Sequence, residues 1–125
     1  MAIRSLIDNG LHFSETIPIS FTSLAAPFNF TFTRDGNRVS ITIPKINFGV
    51  SIAESLKSTT QIPERYIPNS TTMNWIIIDG NNYVSCNISI DHTGIITIFN
   101  GVSGTLFQPG IGYSTMNNQT LSYLV

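Results

Sequence analysis

The sequence predicts an all-β fold, an antiparallel sandwich or jelly roll, and three observations lead there. Apolar and polar residues alternate with a period of two along most of the chain. Gly, Asn and Asp turn residues cut that alternation into short strands at regular spacing. No long amphipathic helix alternates with the strands, which excludes a parallel α/β sheet. The best helical candidate, "GVSIAESLKS" at 49–58, is short and holds three serines, so it reads as a turn of helix or a loop.

The clearest unit is "FNFTFTRDGNRVSITIP", residues 28–44. Phe28, Phe30 and Phe32 alternate with polar residues, and so do Val39, Ile41 and Ile43. An Asp35-Gly36 two-residue turn then sets Phe32 opposite Val39, Phe30 opposite Ile41 and Phe28 opposite Ile43. All six fall on one face, and Pro44 ends the second strand.

"ISIDHTGIITI", residues 88–98, places Asp91 beside His92 and raises a choice between a reactive pair and a hairpin corner. A two-residue turn at His92-Thr93 would set Ile88 against Thr97. A three-residue loop, His92-Thr93-Gly94, instead pairs Ile90 with Ile96 and Ile88 with Ile98. It also puts Gly94 where that loop needs a left-handed residue. Asp91 then flanks the turn, its carboxylate accepting backbone N–H groups, with His92 at an exposed tip. Turn chemistry accounts for the pair. Ile95 points to the other face, which is therefore also covered or forms an interface.

Further strands are expected at 73–79, 83–90, 105–107 and 120–125, with a hairpin turn at 79–82 and loops at 100–104 and 108–119. "IPERYIP" (62–68) is framed by prolines that favour extended backbone. It reads as a rigid linker lying on the sandwich, with a ligand site as the alternative. Residues 1–27 are the least patterned and form an arm or a first strand, ahead of a domain at 28–125. The terminal "LSYLV" alternates Leu121, Tyr123 and Val125 against Ser122 and Leu124, so both faces of that strand carry apolar residues. Trp75, Phe107, Leu121, Tyr123, Leu124 and Val125 are the candidates for core or for an interface between copies.

Composition narrows the function. The 125 residues make one domain. With 6 Lys+Arg against 7 Asp+Glu and a net charge of -1, phosphate-driven nucleic-acid binding is not expected. Charged residues are 10% of the chain, against roughly 25% in an average soluble protein. Such a surface is either Ser/Thr/Asn-rich around a monomer or partly buried in an obligate oligomer, and the oligomer is the expectation. No apolar stretch is long enough to cross a bilayer. The N-terminal residues also lack a signal-peptide core, so no secretory route is expected.

The single cysteine, Cys86, alternates with Ile88 and Ile90 and reads as core. No P-loop, GxGxxG, HExxH, CxxC or GxSxG occurs, and Asp35, Asp79 and Asp91 sit in turns. No enzyme activity, metal or cofactor is expected. Sequons stand at Asn29, Asn69, Asn87 and Asn118. Two of them lie inside strands, and glycosylation is not expected.

The order of "TRDGNRVSI", "IPERYIP", "WIII", "CNISIDHTGIITI" and "LSYLV" resembles the C1q/TNF-like jelly-roll tip domains of phage tail fibres and related virion proteins, over about residues 28–125. The resemblance implies a homotrimer around a threefold axis. It further implies loops at one end that contact a host-surface glycan or protein, and no catalytic residues. Tyr113, Asn117 and Asn118 of the 108–119 loop are the candidate ligand residues, with Tyr113 packed inside the trimer as the alternative. The long stalk that precedes such domains has no counterpart in residues 1–27. Two functions therefore compete. One is a virion-associated attachment module. The other is a structural or adaptor trimer, a capsid cement or a viral protein acting in the host cell, with no glycan ligand.

Overall fold

The computed structural model describes residues 12–101, 105–116 and 118–125. These form ten strands: β1 (His12–Ile19), β2 (Phe28–Asp35), β3 (Arg38–Ile43), β4 (Asn47–Phe48), β5 (Leu56–Lys57), β6 (Thr72–Gly80), β7 (Asn82–Ile90), β8 (Ile96–Ile98), β9 (Tyr113–Thr115) and β10 (Gln119–Leu124). A four-stranded sheet runs β1-β2-β3-β10 and a six-stranded sheet runs β4-β9-β6-β7-β8-β5. All pairings are antiparallel. The expected all-β sandwich is the fold.

The pairing is nested. β6 pairs with β7, β5 with β8, β4 with β9, and β3 with β10. A long antiparallel hairpin wrapped into two sheets gives this order, which is how a jelly roll is built. The core lies between the sheets. Phe30, Phe32, Val39 and Ile41 come from the first, and Ile76, Ile78, Cys86, Ile88, Ile90, Ile96 and Ile98 from the second. β1 pairs with β2 along its whole length, and Phe21 continues into a bridge with Ser58. Cys86 is buried in this core. Burial holds its thiol above the usual range, partly offset by the N–H of Gly101.

The first hairpin forms, but in a different register. Asp35 pairs with Arg38 and Phe32 with Ile41, so the turn is Gly36-Asn37 rather than Asp35-Gly36. Gly36 has φ +59° while Asn37 stays out of the left-handed region. That is the requirement of a turn whose first central residue must be Gly. Side-chain direction repeats every two residues, so a slip of two leaves every apolar residue on the same face. The hydrophobic pattern cannot distinguish the two registers. β3 ends before Pro44 as expected.

The second hairpin has the expected register, Ile88 with Ile98 and Ile90 with Ile96. Asp91 Oδ1 accepts the N–H groups of Thr93 (2.9 Å) and Ile95 (3.0 Å) and the Thr93 hydroxyl (2.6 Å). Burial works to raise the Asp91 pKa, but the bonds from Thr93 and Ile95 outweigh it and hold the carboxyl below its ordinary value. Gly94, at φ +86°, is buried against Ile67 and Ile62, and its carbonyl accepts the Ile62 N–H at 3.0 Å. The tip is thus a joint between the hairpin and the proline-framed segment.

Asp91→Ala is expected to cost about 1 kcal/mol, as the loss of a comparable capping carboxylate does. Gly94→Val is expected to cost more. It forces a β-branched residue into the left-handed region, and even a Cβ would approach Ile67 Cδ1 to 3.0 Å. Because the folded pKa of Asp91 is depressed, its contribution is present above about pH 4, the unfolded carboxylate value. It is lost as pH falls through the folded value. Urea melts of wild type and Asp91→Ala at pH 7 and pH 3 check this. The gap between them should narrow at pH 3, and an unchanged gap would contradict it.

Several stretches depart from their sequence reading: residues 105–107 hold a single bridge at Phe107 rather than a strand, and β9 lies within the expected 108–119 loop. Residues 49–58 hold no helical turn; they contribute β5 and a bridge from Glu54 to Phe107. A 3-10 turn forms instead at Glu64–Tyr66, inside the segment read as a rigid extended linker, while Ile67 after it is extended as expected. Its backbone is tied at Tyr66 N–H to Pro63 and at Ile67 N–H to Glu64. Among the described residues no helix is long and apolar enough to cross a membrane.

Candidate functional site

Tyr113, the aromatic expected to be offered by the 108–119 loop, is buried. It opens β9, stacks on Phe48 at 5.3 Å and meets Phe107 edge-on at 4.8 Å. Its hydroxyl accepts the Gln108 N–H at 2.9 Å. The cause lies on another strand, at Gly80. A Cβ on Gly80 would collide with Tyr113 Cδ1, so the ring occupies the space that glycine leaves. Asn118 is exposed at the opposite end of β9, with φ +52°. Asn117 lies outside the described residues. The two described ones therefore differ, Tyr113 buried and Asn118 exposed.

An exposed aromatic does stand beside Gly80, but it is Tyr83. It is 69% exposed, opposite Asp79 across the tip of the β6–β7 hairpin. Asn81, at φ +76°, and Asn82 flank it and are exposed. Through Gly80 this tip abuts Tyr113, and the exposed Gln108, Pro109 and Gly110 precede β9 on the same side. An open ring beside two amides can stack on a ligand and exchange hydrogen bonds with it. The sequence signal was present in "DGNNYV", where an Asn-rich turn leads directly into Tyr.

The six residues expected in core or interface divide. Phe107, Leu121 and Tyr123 are core, and Val125 packs against it. Trp75 (59% exposed) and Leu124 (67%) are not core. Trp75 alternates with Met73 and Ile77 on the outer face of β6, and all three are exposed. Met116, also exposed, donates its N–H to the Ile77 carbonyl at 3.2 Å and extends the row sideways. Opposite Met73, Trp75 and Ile77 stand Ser89, Asn87 and Ser85 of β7. None of these seven side chains carries charge.

The outer face of the four-stranded sheet differs. Thr16, Thr31, Thr42 and Thr120 form one row across four strands, and Ser14, Thr33, Ser40 and Ser122 form the next. Their hydroxyls pair with one another at 3.1–3.4 Å. His12 pairs with Asp35 at the end of that face.

The proline-framed segment, weighed as a ligand site, is a fastening. Arg65 pairs with Glu15 rather than with its neighbour Glu64, and lies 5.3 Å from the centres of both the Phe13 and Tyr66 rings. The Tyr66 hydroxyl donates to Glu15 at 2.8 Å, and Tyr123 donates to the Tyr66 carbonyl at 2.6 Å. The bonds from Tyr66 and then Arg65 hold the Glu15 carboxyl below its usual value. Among the described residues no three His, Cys, Asp or Glu side chains gather where they could hold a metal. No protein-family model matches the chain, and a search of curated proteins finds no match.

Proposed function

We propose that this chain is a non-enzymatic binding module of the C1q/TNF-like jelly-roll kind. It works as a homotrimer on a virion or in the infected host cell and attaches to a host-surface glycan or protein. The observation that carries this reading is the uncharged apolar row of Met73, Trp75 and Ile77 on a rigid sheet, left open in the single chain. A soluble β-sandwich keeps so large an aromatic outside its core for contact with something else. The nested strand pairing supports the jelly-roll part of the reading, and the exposed Tyr83 tip supplies an attachment end.

The test is a glycan array, together with host-cell binding, using the full chain and Tyr83→Ala. Binding that drops at least tenfold on removing the ring, with melting unchanged, supports attachment through the tip. That loss corresponds to roughly 1.4 kcal/mol or more, well within the range of an aromatic anchor. No signal from either protein on glycans or cells would instead favour a structural or adaptor trimer. His92→Ala, at the other hairpin tip, should leave binding untouched.

A further inference from the structure

We propose that the outer face of β6 is the surface through which copies of this chain meet, with Trp75 as its anchor. The inference rests on the self-assembling part of the reading above and gives that contact its residues and its partner, a second copy of the same chain.

Area is the first argument. Met73 and Trp75 are each 59% exposed, Ile77 43% and Met116 41%. Taking about 200 Å² for a large side chain laid fully open, they present on the order of 400 Å² of mostly apolar surface. That reaches the size of the largest patch on a typical monomer, roughly 300–600 Å². It also supplies about half of the ~800 Å² that each partner gives to a stable interface. An apolar centre with the serines Ser85 and Ser89 beside it has the composition of an interface core and its polar rim.

The backbone is the second argument. Gln119 closes the peptide of Ile77, accepting its N–H at 2.5 Å and donating to its carbonyl at 2.9 Å. Ile77 therefore turns its peptide groups away from β7. Trp75 and Met73, two and four residues earlier, turn theirs the same way. Among the described residues nothing pairs with them on that side, so this stretch of strand is open in both side chain and backbone.

Charge identifies the occupant. The charges on this face stand at its margins, Asp79 at the end of β6 and Lys57 on β5, so a phosphate, an acidic peptide or a basic partner finds no counter-charge over the Trp75 row itself. Another copy brings an equally uncharged apolar row, and a net charge of -1 per chain sets up little repulsion between copies. The other outer face has no such need, because its hydroxyls pair among themselves and stand in water.

Trp75 is the chain's one tryptophan and so reports on its own surroundings. Light scattering and fluorescence are measured on the full chain over a dilution series, with Trp75→Glu and Ile77→Glu as test variants. Ser122→Glu, on the hydroxyl face, is the control. The expected result is an assembled wild type whose emission moves to the red as dilution lowers its mass. Both test variants should be 13.7 kDa monomers that still melt cooperatively, and the control should stay assembled. If wild type assembles while Trp75 stays quencher-accessible at every concentration, the β6 face is not the contact, although self-assembly stands. The same follows if both test variants keep the wild-type mass. Should a variant fail to fold, the wild-type emission and quenching decide alone. A wild type that is monomeric throughout overturns the self-assembling reading and this inference together.

Discussion

A chain that stops at Thr120 is expected not to fold. The missing residues are the body of β10, whose Leu121 and Tyr123 are buried opposite Ile41 and Val39 of β3. Each such side chain contributes roughly 1.5–3 kcal/mol by leaving water. The Tyr123 hydroxyl also holds the Tyr66 carbonyl at 2.6 Å, and the Val125 N–H holds the Asn37 carbonyl at 2.8 Å. Truncation would strip the ladder from β3 and uncover Ile41 and Val39 beneath it. Those losses fall on a domain whose net stability is typically only ~5–15 kcal/mol. Thermal melting and sizing of the truncated chain are the checks. A cooperative transition near the wild-type temperature would show that β10 is dispensable. Leu124 is a separate matter, because its exposure means that Leu124→Ser should leave the melting of the protomer nearly unchanged.

Phe107→Ala is expected to cost about 3–5 kcal/mol, the usual loss for a large ring removed from a packed interior. Phe107 is fully buried and stands edge-on to Phe48 at 5.0 Å and to Tyr113 at 4.8 Å. Its neighbours cannot close the gap easily. Tyr113 is held at its hydroxyl by Gln108 and fitted over Gly80, and Phe48 is stacked on Tyr113. The backbone at Phe107 is fixed too, by reciprocal bonds with Glu54 at 3.1 and 2.8 Å. For a chain of this size the loss corresponds to a fall in Tm on the order of 10–20 °C. Urea denaturation with an unchanged slope would assign the loss to the native state. A change below about 1 kcal/mol would mean that this aromatic cluster is not part of the core.

The fold was largely legible because alternation and glycine placement agreed. In residues 88–98 only one register puts both isoleucine pairs on one face and a glycine at the left-handed position, and that register forms. Residues 28–43 show the limit of the same logic. Their pattern is unchanged by a slip of two, and the choice between registers was made by the turn preference of Gly36. The candidate site was less legible because it depends on contacts distant in sequence. Nothing within 108–119 shows that Tyr113 is buried; the information sits at Gly80, on another strand. "MNWIIID" announces a strand apolar on both faces, but alternation alone does not say which face is the core. Ile76 and Ile78 turn inward, and Trp75 goes out with Met73 and Ile77. Tyr83 was missed because it falls within a strand rather than a loop, although it stands at the strand's exposed end.

We propose that this chain works as an assembly of its own copies, with uncharged apolar surface left open in the protomer for that contact. Sedimentation of the unmodified full chain at micromolar concentration tests it most directly. One compact species of about three times the 13.7 kDa chain mass is expected. A single 13.7 kDa species at that concentration would contradict it.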